Sequence, residues 1–375
     1  MDFPLARNAA RAFARGAEAS FQAKLSRALS FYPPATKDQR LLVFSTRPLS
    51  SCEFLPLANA EVRLAAAFSL IDSFLDHYGS TRKVSDSHTY LATFTWDAGL
   101  TFADAPQVNL EAMERTVRRQ LERLGLNAVC SFEIDVFADP LAGEHARRLH
   151  FHVHAVCWTR DRSFRPVSAA RALRRGKAFP SLLGAPSVSF VSRSASAAQY
   201  PGFERPQPRQ DQTASSMAHL GYYLLKATSS AKHRFLGRDG TARMRGDDSA
   251  FNLKTALRFA EIYSQITPAD AIFAVGAEAA AVAANYNARL RRWVMRQGSR
   301  GHGYTEAGLQ AAWARLFDAH PELGLHPSAI RQRRHTLADA GNLRRANRQR
   351  CPLINHEEPS DTTSPCATRD ISYQM

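Results

Sequence analysis

Residues 147–158 read RRLHFHVHAVCW and place an imidazole at every second position, His150, His152 and His154. In an extended strand alternate side chains project to one face. The three histidines therefore share a face, and Leu149, Phe151, Val153 and Ala155 share the other. Two imidazoles at i and i+2 are near enough to grip one divalent ion, and histidine is the commonest metal ligand. The preceding segment CSFEIDVF repeats the device with carboxylates: Glu133 and Asp135 lie two apart, opposite Phe132, Ile134 and Val136. The joining stretch ADPLAGEHARR has the composition and length of a hairpin loop, so pairing would set a carboxylate beside the imidazoles. Two histidines and one carboxylate, with positions left open, suit a metal that must also hold a substrate oxygen. Residue types alone leave open whether Glu133 or Asp135 completes the set.

A second reactive group follows in GYYLLK (221–226), within a stretch of helical spacing. Lys226 lies three residues after Tyr223 and four after Tyr222, so either phenol can neighbour the amine. Adjacent helical residues point about 100° apart, so the two tyrosines cannot address one metal equally. A phenol, with a pKa of about 10, is a poor nucleophile at neutral pH unless a cation or a bound phosphate activates it.

The elements that must position these groups can be read from the patterning. HTYLATFTW (88–96) alternates and is rich in threonine and aromatics, which predicts a strand. NLEAMERTVRRQLERLG (109–125) has helical spacing and stops at Gly125. Residues 127–137 and 149–158 read as the next two strands, 186–193 as a fourth, and 215–232 as a helix. This order describes an α+β domain with a mostly antiparallel sheet over residues 85–235. Residues 1–80 read as a mainly helical region, 163–214 as a long loop or excursion, 250–300 as a second helical region, and 351–375 as a disordered tail.

A Thr-rich strand, LATFTW (91–96), a carboxylate strand, SFEIDVF (131–137), a His-x-His strand, HFHVHAV (150–156), and YLLK (223–226) occur in that order. The arrangement resembles the HUH endonucleases, in particular the rolling-circle replication initiators of plasmids and phages. The resemblance covers less than half of the chain. It implies an HUH-type antiparallel sheet with flanking helices. It also implies His152 and His154 as metal ligands with Glu133 as the third, and Tyr223, set by the Tyr-x-x-Lys spacing, as the nucleophile. His150 stands where such proteins often carry an additional histidine. The adjacent pair Tyr222 and Tyr223 departs from two-tyrosine members, whose tyrosines lie one helical turn apart. The implied cofactor is Mn²⁺ or Mg²⁺. The implied substrate is single-stranded DNA at a replication origin beside its duplex, with a host helicase and polymerase as further partners in a bacterial cytoplasm. A mobilisation relaxase or single-strand transposase would use the same site. Phe94, Trp96 and Trp158 are candidates to stack bases or to fill the sheet core.

Residues 301–350 resemble a winged helix-turn-helix: GYTEAGLQAAWARLFDAH as one helix, PELGL as a turn, and HPSAIRQRRHTLADAG as the next. Pro327 lies near the start of this second helix, Ser328 can cap it and Gly341 ends it. Arg331, Arg333 and Arg334 could meet DNA phosphates or base edges. A basic tail with Arg344, Arg345, Arg348 and Arg350 follows, of which Arg344 and Arg345 are further DNA-binding candidates. A non-catalytic DNA-binding protein, with structural or zinc-binding histidines and the winged helix as its working part, is the rival from another class. An RNA-binding protein is a third possibility.

Composition agrees with a polyanionic partner. The chain has 375 residues, with 49 Lys+Arg against 34 Asp+Glu and a net charge of +15. Cys52, Cys130, Cys157, Cys351 and Cys366 are scattered, odd in number and form no CxxC pair, which argues against a disulfide framework or a cysteine-rich zinc module. The Arg- and Ala-rich N-terminal stretch reads as an amphipathic helix without the apolar core of a secretory signal. No apolar run approaches the ~20 residues of a membrane span.

Overall fold

The computed structural model describes residues 3–34, 56–80, 88–138, 147–180, 186–192, 209–226, 231–240, 242–247, 252–297 and 306–331. In chain order the helices are α1 (Phe3–Phe31), α2 (Ala60–Ser80), α3 (Leu110–Arg123), α4 (Pro166–Arg175), α5 (Arg209–Leu224), α6 (Leu253–Tyr263), α7 (Ala277–Gln297) and α8 (Glu306–Ala319). The strands are β1 (His88–Phe94), β2 (Leu100–Phe102), β3 (Gln107–Asn109), β4 (Asn127–Ala138), β5 (Arg147–Thr159), β6 (Val188–Ser192), β7 (Ala231–Leu236), β8 (Ala242–Asp247), β9 (Ile272–Val275) and β10 (Ala329–Arg331).

The main sheet runs β6-β1-β5-β4-β7-β8, with β2 added to β5 and β9 to β4. Every pairing in it is antiparallel except β4 with β7. This is the α+β class with a mostly antiparallel sheet that the patterning predicts. The two long central strands, β4 and β5, are rich in β-branched and aromatic residues and pair over their whole length, from Asn127 against Trp158 to Ala138 against Arg147.

Both faces of this sheet are covered. On the apolar face lie Phe151, Val153 and Ala155, all fully buried, and α3 packs beside β4 and β9 through Met113, Val117 and Leu121. The imidazole face does not open as a cleft along its length, because α2 and α5 roof it. Trp158, two positions beyond Val156 on that face, packs its ring 6.5 Å from Phe74 and 5.7 Å from His77 of α2. The same strand face thus carries histidines at one end and a large aromatic at the other, and burying the aromatic brings the roof down over both.

Several elements differ from the sequence expectation. The helix expected over 215–232 ends at Leu224, and β7 begins at Ala231; β2, β7 and β8 add strands that the patterning does not mark. The segment 251–297 is not one helical run: α6 and α7 are separated by β9, which pairs with β4 from Ile272 against Ser131 to Val275 against Ala128. Gly276, at φ +83°, makes the turn from β9 into α7. Within the excursion expected over 163–214, Pro166–Arg175 is a helix with proline in its first turn. The helix expected to open at Pro327 is absent from the described residues, where Ala329–Arg331 is instead a strand lying parallel to Gln107–Asn109. Ser328 caps no helix there. Its backbone N–H donates to Glu261 Oε1 at 3.0 Å, and its hydroxyl bonds to the same carboxylate. Of the basic residues expected to meet DNA, Arg331 is exposed on β10, and Arg333, Arg334, Arg344 and Arg345 lie outside the described residues. The tail at 351–375 lies outside them as well.

Glu261 is the centre of a buried network. It pairs with Arg258 Nη1 at 3.0 Å and accepts from Gln265 Nε2 at 3.0 Å, while Arg258 Nη2 donates to the carbonyls of Asp104 and His326. Burial pushes the Glu261 carboxyl up and Arg258 down from their ordinary values, against the opposing pull of each on the other. A charge desolvated this far is held only by its partner, so removing either is costly. No helix among the described residues is long and apolar enough to cross a membrane.

Arg258→Met should therefore destabilise the protein by about 3–5 kcal/mol in urea unfolding. Arg115→Met, which removes an exposed i,i+4 partner of Glu111, should cost less than about 1 kcal/mol. Equal costs would contradict this account.

Candidate metal centre

The β4–β5 register builds the site. Directly opposed residues of an antiparallel pair project to the same face, so Glu133 stands beside His152, Asp135 beside His150, and Ser131 beside His154. On the other side of β5, Thr93 of β1 is opposite His154. Three ligand atoms converge. His152 Nε2 lies 3.0 Å from His154 Nε2, and Glu133 Oε2 lies 2.7 Å from His154 Nε2 and 3.7 Å from His152 Nε2.

The outer nitrogens decide the tautomers. His152 Nδ1 faces the carbonyl oxygen of His150 at 3.4 Å, and a carbonyl can only accept, so Nδ1 carries the hydrogen and Nε2 a lone pair. His154 Nδ1 is 3.1 Å from Thr93 Oγ1, which can accept a hydrogen from it in the same way. Two Nε2 lone pairs and a carboxylate oxygen then face one another within 4 Å. This arrangement is repulsive by itself and is relieved by a cation. The spacing fits one: the triangle has a circumscribed radius of about 1.9 Å, so a point about 2.1 Å from all three atoms exists, the usual metal–nitrogen distance. Glu133, His152 and His154 are thus a donor set that could hold a metal ion, and all three are buried.

The other candidates take different places. Asp135 Oδ2 is 3.6 Å from His152 Nε2 but is not one of the three residues of the cluster. His150 donates from Nε2 to the Trp96 carbonyl at 3.2 Å, and its ring stacks on that of His152 at 5.4 Å. It braces the ligand strand and is not one of the three residues of the cluster. Phe94, Trp96 and Trp158 are all buried, with Phe94 and Trp96 packed on Phe179 and Trp158 on Phe74. Burial removes them as base-stacking surfaces.

α5 brings the tyrosines down on this centre. Tyr223 sets its ring edge-on to His154, with centroids 5.0 Å apart. Tyr222 points away and stacks on Phe13 of α1 at 6.2 Å. Lys226 lies two residues beyond the end of α5 rather than on the helix. From there its Nζ lies 3.3 Å from Glu133 Oε1 and 4.1 Å from the centroid of the Tyr223 ring. Burial would raise the Glu133 carboxyl, but the charge of Lys226, joined by the neighbouring imidazoles when they carry a proton, outweighs it and holds the carboxyl well below its usual range. Burial likewise opposes the Lys226 charge, yet Glu133 and Tyr223 drive the amine above its ordinary value. The result is a buried carboxylate and a firmly cationic lysine.

Sequence reasoning missed two supports. Thr93, inside the quoted strand, orients His154, and its alternation with Phe94 was the available signal. Gly221 lets α5 approach α2: a Cβ there would meet the backbone of Ile71 at 2.9 and 3.0 Å. No protein-family model matches this chain, and neither a curated protein nor a solved structure matches it.

Mn²⁺ titration followed by calorimetry should show one site. His152→Ala or Glu133→Ala should weaken it by about 100-fold or more and Thr93→Val by about 10-fold, whereas His150→Ala should matter less than Thr93→Val. A site that survives His152→Ala would refute the assignment. Gly221→Ala should destabilise the protein by about 1–3 kcal/mol through overpacking. A gain in stability, the ordinary result of Gly→Ala inside a helix, would show that the contact with α2 is unimportant.

Proposed function

We propose that the chain is a metal-dependent, tyrosine-using endonuclease and strand transferase acting on single-stranded DNA. Its proposed role is to initiate replication at an origin of a plasmid or phage-like element. The observation that carries this reading is the meeting of Tyr223, Lys226 and the Glu133/His152/His154 cluster at one point of the fold. A structural or zinc-only histidine cluster has no need of a phenol and a cationic amine at its rim.

The chemistry follows from the groups present. Glu133, His152 and His154 would hold a divalent ion, Mn²⁺ or Mg²⁺, which when bound draws charge from the oxygens of the scissile phosphate. Tyr223 supplies the nucleophilic oxygen. Its attack forms a phosphorus–oxygen bond to the 5′ side as the bond from phosphorus to the 3′ oxygen breaks. The phenol loses its proton, and the departing 3′ oxygen gains one. Lys226, cationic and 4.1 Å from the ring centroid, stabilises the developing phenolate. The product is a 5′-phosphotyrosine and a free 3′-hydroxyl that can prime synthesis. Because the phosphodiester energy is conserved in the protein–DNA bond, a later 3′-hydroxyl can reverse the step and rejoin the strand. Tyr222, held against Phe13, takes no part. The net charge of +15 favours DNA as the partner, and a mobilisation relaxase or single-strand transposase would use the same site.

End-labelled single-stranded DNA from the protein's own replicon, incubated with Mn²⁺, should yield a covalent adduct on denaturing gels. EDTA or Tyr223→Phe should abolish it, and Tyr222→Phe should leave it within about twofold, as for a substitution away from the reacting groups. Lys226→Met should slow it by about 10²–10³-fold, the usual cost of losing one transition-state charge partner. Duplex binding with no adduct under any condition would instead support a non-catalytic DNA-binding protein.

A further inference from the structure

On α7, Arg289, Arg292, Trp293 and Arg296 recur at three- and four-residue spacing and so share one face. That face meets α1 and α2 at a groove of about 430 Å³. Arg11 and Arg15 of α1 enter it with their guanidinium carbons 5.0 and 5.2 Å from the ring centroid of Phe68 on α2. Five arginines line the groove against two acids, Glu61 and Asp72. Asp72 is already engaged by Arg7 at 3.0 Å, Arg11 at 2.7 Å and Arg289 at 3.3 Å. Arg15, Arg292 and Arg296 are exposed and form no ion pair among the described residues. The groove therefore presents surplus guanidinium charge beside a half-buried tryptophan, and none of the metal-ligand cluster lines it.

We propose that this groove binds the backbone of a polynucleotide single strand and stacks one base on Trp293. Guanidinium groups match phosphate oxygens in a fixed planar fork. Here they are strung along two helices rather than gathered on one point, which suits a chain of phosphates better than a single anion. Trp293 between Arg289, Arg292 and Arg296 adds the aromatic surface that a base uses, and bases stacked inside a duplex cannot reach it. A membrane surface would call for a protruding apolar helix face, whereas this tryptophan lies in a concave, arginine-lined groove. α1 adjoins both regions: its Phe13 stacks on Tyr222 while Arg11 and Arg15 line the groove. The proposal rests on the groove alone and does not require the chemistry at Tyr223.

The four tryptophans make the test direct, because Trp96, Trp158 and Trp313 are buried and Trp293 is partly exposed. The full chain carrying Tyr223→Phe, in EDTA, is titrated with an oligo-dT strand while tryptophan emission is followed. Emission should be quenched, and Trp293→Phe should remove the quenching. Arg292→Ala with Arg296→Ala should weaken binding by about 10-fold or more and flatten the slope of log affinity against log salt by about 1.4, the share of two phosphate contacts on a single strand. The proposal is overturned if quenching survives Trp293→Phe, if the double variant binds oligo-dT as tightly as before, or if vesicles containing phosphatidylserine perturb Trp293 and oligo-dT does not. Quenching at Trp293 in a protein that forms no Mn²⁺-dependent adduct would uphold the groove and reject the chemistry at Tyr223.

Discussion

A carboxylate cannot be kept ionised under a helical roof unless cations surround it, since the effective penalty for burying an uncompensated charge is several kcal/mol. Glu133 is 7% exposed and still held well below the usual carboxyl range. That constraint organises the centre of the protein. The β4–β5 register delivers His152 beside Glu133, Thr93 turns His154 toward the same point, and the chain leaving α5 carries Lys226 to the other carboxylate oxygen. The two imidazoles direct lone pairs inward, so they leave a place for a further positive charge. The lysine alone neutralises the carboxylate but does not relieve the facing nitrogens.

The roof follows from the rest of the same strand. Val156 and Trp158 continue the histidine face as large apolar groups, and covering them with α2 and α5 buries the imidazoles too. Gly221 sets how closely α5 approaches α2, and with it the height of Tyr223 above His154. The contacts that close the core thus also hold the Tyr223 ring against His154.

Alternation made the core of the site readable from residues alone. His150, His152 and His154 do share a face, Glu133 and Asp135 do stand beside it, and β1, β4, β5 and β6 fall where the patterning puts strands, whereas β2, β7, β8 and β9 carried no such signal. Choices that depend on register or on neighbouring chains were not readable. Glu133 rather than Asp135 joins the cluster because it is opposite His152, a fact of pairing. Tyr223 rather than Tyr222 faces His154 because Phe13 of α1 offers Tyr222 another partner. β9 went unseen because a four-residue apolar run next to an Ala-rich helix carries no period of its own and becomes a strand only by pairing with β4. The end of α5 at Leu224, and the strand at Ala329–Arg331, are likewise set by tertiary partners that override local helical spacing.

The central claim is that Glu133, His152 and His154 form a metal centre beneath Tyr223. Anomalous diffraction from crystals grown with Mn²⁺ tests it most directly. The account predicts one strong peak about 2.1–2.2 Å from His152 Nε2, His154 Nε2 and a Glu133 oxygen, with the Tyr223 ring still against His154. A peak elsewhere, or none while the two imidazoles share a hydrogen between their Nε2 atoms, would contradict it.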